Sequence, residues 1–137
     1  WEGWVSWSAR PEPGIRHFSG TARYRTLVEW RGDPRPARGQ RRWLDLGRVE
    51  VMARVRWNGQ DLGVAWCPPY RVDITEAVRE GANQLEVEVA NLWPNRLIGD
   101  QGLPATERLT WSTWNPYRAD SPLLPSGILG PVRVLDE

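Results

Sequence analysis

Val49-Glu50-Val51-Met52-Ala53-Arg54-Val55-Arg56-Trp57-Asn58-Gly59 is the stretch on which the fold turns. Val49, Val51, Ala53, Val55 and Trp57 share one face at a period of two, and Glu50, Met52, Arg54 and Arg56 share the other. That is a half-buried strand with a charged outer surface. Asn58-Gly59 follows at once, and a type I′ turn needs the positive φ that these two residues tolerate, so the chain reverses into a return strand over 61–66. Outward from this hairpin, Ala22, Tyr24, Thr26, Val28 and Trp30 alternate with Arg23, Arg25, Leu27 and Glu29. Leu85, Val87 and Val89 alternate with Glu86 and Glu88, and Val132 and Val134 mark a last strand. One short helix is expected over 74–80, with Asp73 as its cap, Glu76 in a capping-box position and Gly81 beyond its end. Many short strands with Gly/Pro turns and one connecting helix predict an all-β antiparallel sandwich of jelly-roll type.

The chain has 137 residues, the size of one domain, read as 1–137. Its 18 basic residues, all arginine, nearly balance 17 acidic ones. A general nucleic-acid binder would carry a basic excess, so no nucleic-acid partner is expected. No apolar run is long enough to span a membrane, and none is expected as a partner. The single cysteine, Cys67, allows no internal disulfide and reads as a small buried thiol between Trp66 and Pro68. The chain begins on Trp1, which suggests a domain cut from a longer polypeptide.

Catalytic patterns are absent. There is no Gly-x-Ser-x-Gly elbow and no phosphate-cradling glycine motif, and one histidine, His17, stands fifty residues from Cys67. Asp45, Asp61, Asp100, Glu107 and Asp120 are carboxylates of the type that pair in glycoside hydrolysis, but surface solvation is their ordinary role. A non-catalytic chain is expected. No EF-hand-like spacing is present; small sandwiches can hold a structural calcium on loop carbonyls, so calcium is the one cofactor carried forward.

Ten of the aromatic residues are tryptophan, against three tyrosines and one phenylalanine. Trp30, Trp43 and Trp57 fall on strands and are expected in the core. Two segments lack alternation. Arg31–Arg42, with five arginines and an Arg-Gly-Asp tripeptide, reads as a solvated hairpin loop. Asn91–Gly127 holds Trp93, Trp111, Trp114, Tyr117 and five prolines, and a patternless stretch of that length is usually functional. An indole face covers the C–H surface of a sugar ring, and arginine and carboxylate groups bond its hydroxyls or a uronate carboxylate. Trp93, Trp111, Trp114 and Tyr117 are therefore the candidate stacking platforms, with Arg96, Asp100, Arg118 and Asp120 as polar partners and Trp66 and Tyr70 added from the neighbouring turn. Packing of these aromatics on the sandwich or on another domain is the alternative.

Asn58-Gly59, Leu62-Gly63-Val64-Ala65-Trp66-Cys67-Pro68-Pro69-Tyr70-Arg71-Val72-Asp73-Ile74-Thr75 and Gly81-Ala82-Asn83-Gln84-Leu85-Glu86-Val87 together resemble the galactose-binding-like jelly roll of glycoside hydrolase accessory domains. Phe18-Ser19-Gly20-Thr21-Ala22-Arg23-Tyr24, Asn91-Leu92-Trp93-Pro94-Asn95-Arg96-Leu97-Ile98-Gly99-Asp100, Thr110-Trp111-Ser112-Thr113-Trp114-Asn115-Pro116-Tyr117 and Asp120-Ser121-Pro122-Leu123-Leu124-Pro125-Ser126-Gly127-Ile128-Leu129-Gly130-Pro131-Val132 resemble the C-terminal region of glycoside hydrolase family 106, the α-L-rhamnosidases. The likeness is weakest at 1–13 and 31–42. It implies a secreted or periplasmic parent enzyme that removes rhamnose from plant glycans, notably pectic ones. It places the catalytic carboxylates and active-site calcium on a separate barrel. This chain would then be a carbohydrate-binding module for a polysaccharide or oligosaccharide, or a structural accessory packed on the catalytic domain; the fold hosts both roles.

Overall fold

The hairpin read from Asn58-Gly59 lies at the heart of the observed fold, a computed structural model that describes residues 3–137. Asn58 and Gly59 have φ of 51° and 81°, the two positive values that a type I′ turn requires. They join β4 (Met52–Trp57) to β5 (Gln60–Ala65). With β1 (Thr21–Trp30) and β7 (Gly81–Ala90) these strands form a four-stranded antiparallel sheet in the order β1-β7-β4-β5. The facing layer is a three-stranded sheet of β6 (Arg71–Asp73), β2 (Arg42–Asp45) and β9 (Arg133–Asp136), with β2 central. β3 (Arg48–Glu50) pairs with β8 (Gly127–Gly130) as a separate ribbon. Ala53, Val55, Trp57, Leu85, Val87 and Val89 from the first sheet meet Leu44, Leu46, Val72, Ile74 and Val132 in one buried cluster. This is the antiparallel β-sandwich expected from the alternation.

Val49, Ala53, Val55 and Trp57 are all buried, as their shared face demands. The strand is nevertheless broken at Val51, and its first part pairs with β8 rather than β7. Of the three expected core tryptophans, Trp57 is fully buried, whereas Trp30 and Trp43 are half-buried. Trp30 lies under the Arg42 guanidinium, 4.4 Å from its ring centre. Buried Arg42 also forks onto Asp136 with two 2.7 Å bonds and donates to the Pro34 carbonyl at 2.6 Å. One side chain thus ties the arginine-rich 31–42 loop to β9.

The helix expected over 74–80 does not form; only one turn exists, at 75–77. Asp73 does accept the Thr75 N–H at 2.9 Å, and the Ile74 carbonyl accepts from Ala77 and Val78. The next donor is diverted, because the Arg79 N–H bonds the buried Asn83 side chain at 2.8 Å. A helix appears instead where none was expected, as α2 (Pro94–Gln101); the first helix, α1 (Pro13–Arg16), is a single turn. Trp93 precedes α2 without a capping side chain, and the buried face holds Asn95 and Asp100 beside Ile98. Eight residues make barely two turns, and with Asn95 and Asp100 facing inward only Leu97 and Ile98 remain as apolar markers of a helical face.

The outer face of the large sheet carries the arginines. Register sets Arg23 and Arg54 opposite Glu88, and Arg25 and Arg56 opposite Glu86. Glu86 receives Arg25 at 2.7 Å and Arg56 at 2.8 Å, and Glu88 receives Arg23. These bonds hold both carboxyls below their ordinary range. A depressed folded-state pKa contributes stability above the unfolded value of 4.5, which is lost as the pH falls through the folded value. Melting temperature against pH is expected to hold level down to about pH 4.5 and to drop below it. Glu86→Gln is expected to flatten that drop.

Candidate functional site

Register places Thr21, Ala90, Met52 and Ala65 at one end of the four-stranded sheet. The Trp66–Tyr70 turn and the segment after β7 therefore leave the sandwich from the same end. β4 alone lies between β5 and β7, which sets the two exits about 10 Å apart. The two clusters of candidate residues, remote in sequence, are thus brought to one end.

A polar knot anchors the long segment there. Asn91 accepts the Gly20 N–H and donates to the Phe18 carbonyl and the Ser126 hydroxyl. Buried Asn95 donates to the Leu124 carbonyl and to Ser126, and its oxygen accepts the Leu124 N–H at 2.8 Å. Ser126 closes the knot by receiving the hydroxyl of Ser6 on its carbonyl, while its own N–H bonds the Ser6 oxygen. These satisfied buried bonds fix both ends of the segment and leave the strap between them, residues 103–123, to run over the surface.

Arg96 and Asp100, expected to orient sugar hydroxyls, serve this anchoring instead. Arg96 Nη2 stands 2.7 Å from Asp100 Oδ1, with the two side chains 16% and 2% exposed. The other Asp100 oxygen accepts both the backbone N–H and the hydroxyl of Thr110. Burial would raise the Asp100 carboxyl, but the Thr110 bonds and the Arg96 charge outweigh it and hold it below its ordinary range. His17 packs against Gly99, where an added Cβ would lie 2.7 Å from it, and burial with the charges of Arg96 and Arg16 pushes its imidazole down. Asp100→Ala leaves Arg96 largely buried without a counter-charge, at a cost of about 3 kcal/mol. It should lower the melting temperature and speed chymotryptic cleavage at Trp111 and Trp114 about tenfold.

The segment 91–127 presents its tryptophans to solvent. Trp93, Trp111 and Trp114, with Trp66 from the neighbouring turn, are between 67% and 81% exposed. Leu92, Leu109 and Leu124 on the same segment are exposed too. Tyr117 is half-buried, its N–H held by Asn115, while Arg118 and Asp120 lie exposed in a turn that Ser121 closes. Tyr70 is half-buried against the core, which removes most of its ring from any ligand. Cys67, expected as a buried thiol, is exposed in the same turn.

Only part of this set shares a concavity. Between α2 and the strap lies a hollow of about 420 Å³ lined by Leu97, Gln101, Arg108, Leu109, Trp111 and Asn115, with Asp100 and Thr110 in its wall. Trp111 is the one candidate platform that lines it. Gln101, Arg108 and Asn115 escaped the sequence reading because a surface glutamine, arginine or asparagine carries no patterned signal; only the neighbouring Trp111 pointed toward them. Among the described residues no group of three or more His, Cys, Asp or Glu side chains gathers to hold a metal ion, so a structural calcium would depend on backbone carbonyls. No helix among them is long and apolar enough to cross a membrane.

No family model matches the chain. It is 39% identical to a putative β-glucuronidase of Formosa agariphila, over 94% of this chain and 13% of that protein. Its structure is similar to that of a rhamnosidase from Novosphingobium sp. PP1Y, with a TM-score of 0.87 and 48% identity over 96% of this chain and 12% of that one. A β-glucuronidase of Ruminococcus gnavus shares the fold, with a TM-score of 0.52 and 22% identity over 61% of this chain and 14% of that one. Nearly the whole of this chain thus corresponds to a small domain of larger glycoside hydrolases, one a rhamnosidase and one a putative β-glucuronidase.

Proposed function

We propose that the chain is a non-catalytic, carbohydrate-binding accessory domain of a rhamnosidase-like glycoside hydrolase of family 106, working outside the cytoplasm on rhamnose-containing or pectic plant glycans. The observation that carries this reading is the hollow between α2 and the strap, where an exposed indole stands beside amide and guanidinium donors. That combination covers the apolar face of a pyranose and bonds its hydroxyls at once. Trp93 and Trp114 are further platforms along the same segment, and Trp66 lies beside it on the neighbouring exit. One or two shallow ring contacts give weak binding, with a Kd of about 1 mM, because little area is available against the entropy of association. Calorimetric titration of the chain with rhamnose-terminated oligosaccharides and oligogalacturonides tests the reading. Saturable heat that Trp111→Ala abolishes is expected; no heat from any of these glycans would sink it.

A second reading is favoured by Leu92, Trp93, Trp114 and Leu124, which are exposed outside the hollow. Such side chains suit a contact with the catalytic domain of the parent protein. On that reading the isolated chain self-associates at high concentration, and Trp93→Ser with Trp114→Ser restores a monomer in sedimentation.

A further inference from the structure

The hollow has an electrostatic asymmetry. Among the described residues its one acidic side chain, Asp100, is charge-paired: Oδ1 lies 2.7 Å from Arg96 Nη2 and the other oxygen takes both donors of Thr110. Its one basic lining residue, Arg108, is exposed, and no carboxylate among the described residues lies within ion-pair distance of it. Arg108 Nε donates to the Leu103 carbonyl at 3.2 Å, which orients the guanidinium plane and leaves its two terminal nitrogens available. Asn115 spends its oxygen on the Tyr117 N–H and keeps its amide N–H₂ as a donor. The lining thus offers a flat indole, an apolar neighbour in Leu109, donors from Asn115 and Gln101, and one uncompensated positive fork.

From this we propose that the hollow binds a uronic acid residue, with the pyranose against Trp111 and the carboxylate on the terminal nitrogens of Arg108. The proposal rests on the carbohydrate-binding reading and narrows it to an acidic sugar. A guanidinium matches a carboxylate with two parallel charge-assisted bonds, one to each oxygen, whereas a neutral hydroxyl offers a single oxygen and brings no charge. Vicinal hydroxyls of a neutral hexose can also span the fork that the strap holds in place, but they leave its charge uncompensated.

The test compares trigalacturonic acid with its fully methyl-esterified form, which keeps the rings and removes the charge. Titrations of the full chain at 20 mM and 200 mM salt are expected to show the acid binding about tenfold more tightly than the ester at low salt, with the difference shrinking at high salt. Arg108→Gln should bring the two ligands to equal affinity while the melting temperature stays unchanged, since Arg108 is exposed. Trp111→Ala should weaken both. Equal binding of acid and ester by the wild-type chain, or a preference that survives Arg108→Gln, overturns the proposal and leaves the carbohydrate-binding reading intact. So does binding of rhamnose oligosaccharides alone. Failure of every glycan to bind overturns both.

Discussion

Asn83→Ala is expected to cost about 4 kcal/mol of folding stability, a large share of the total for a domain of this size. The Asn83 side chain is fully buried and every one of its bonding sites is used. Its oxygen accepts from Trp57 Nε1 at 3.0 Å, Asn58 Nδ2 at 2.9 Å and the Arg79 N–H at 2.8 Å. Its amide donates to the Arg79 and Gly81 carbonyls at 2.7 and 2.9 Å. It therefore fastens the β4–β5 turn, the largest core side chain and the connector before β7 at a single point. Alanine leaves the buried Trp57 Nε1 without an acceptor and strips the part-buried Arg79 and Gly81 main-chain groups of their partner, and each buried orphan costs about 1–3 kcal/mol before the turn relaxes. Asn83→Asp keeps the acceptor but turns a second oxygen toward two carbonyls, so it should be nearly as damaging at neutral pH and milder in acid. Urea denaturation of the three proteins measures this directly. A loss under about 1 kcal/mol for alanine would show that the turn holds without its hub.

Gly47→Ala is expected to be of similar size for a steric reason. Gly47 has φ of 65°, and a Cβ there would lie 2.5 Å from the backbone carbon and oxygen of Gly130. It bridges to Gly130 where the chain passes from β2 to β3, so the colliding atoms are main chain and cannot rotate away. Positive φ and overpacking together cost about 3 kcal/mol or more. Gly59→Ala provides the control: φ is 81°, but nothing lies within 4 Å of the added Cβ. Conformational strain alone, about 1 kcal/mol, is expected there. Equal melting temperatures for the two variants would contradict the close approach at Gly47.

Strand periodicity made much of this fold legible, because one face of each sheet is buried and the side-chain period is two. β1, β4 and β7 read that way, and Asn58-Gly59 fixed the reversal between β4 and β5. Helical signals failed for the opposite reason. The Asp73 cap works locally, yet Asn83, distant from it along the surface pattern, captures the N–H that would have continued the helix. α2 hides its identity by turning Asn95 and Asp100 inward, where tertiary partners replace solvent. The same substitution explains the site. Trp93, Trp111 and Trp114 are exposed on the longer of the two segments that lacked alternation, which the sequence pattern anticipates. Arg96 and Asp100 look like surface ligands until their mutual pairing and Thr110 appear. Their i,i+4 spacing signals a pair only once 94–101 is read as a helix, and the second partner, Thr110, lies ten residues farther along the chain.

The central claim is that sugar contacts the chain at Trp111. Tryptophan indole N–H resonances give ten separate reporters, because the chain has ten tryptophans. Trp57 and Trp7 donate their indole N–H groups internally, to Asn83 and to the Tyr24 hydroxyl, and serve as references. Titrating the ¹⁵N-labelled chain with oligogalacturonides and rhamnose oligosaccharides should move the Trp111 signal saturably and leave those of Trp57 and Trp7 in place. A Trp111 resonance that stays fixed at every glycan concentration would contradict the account.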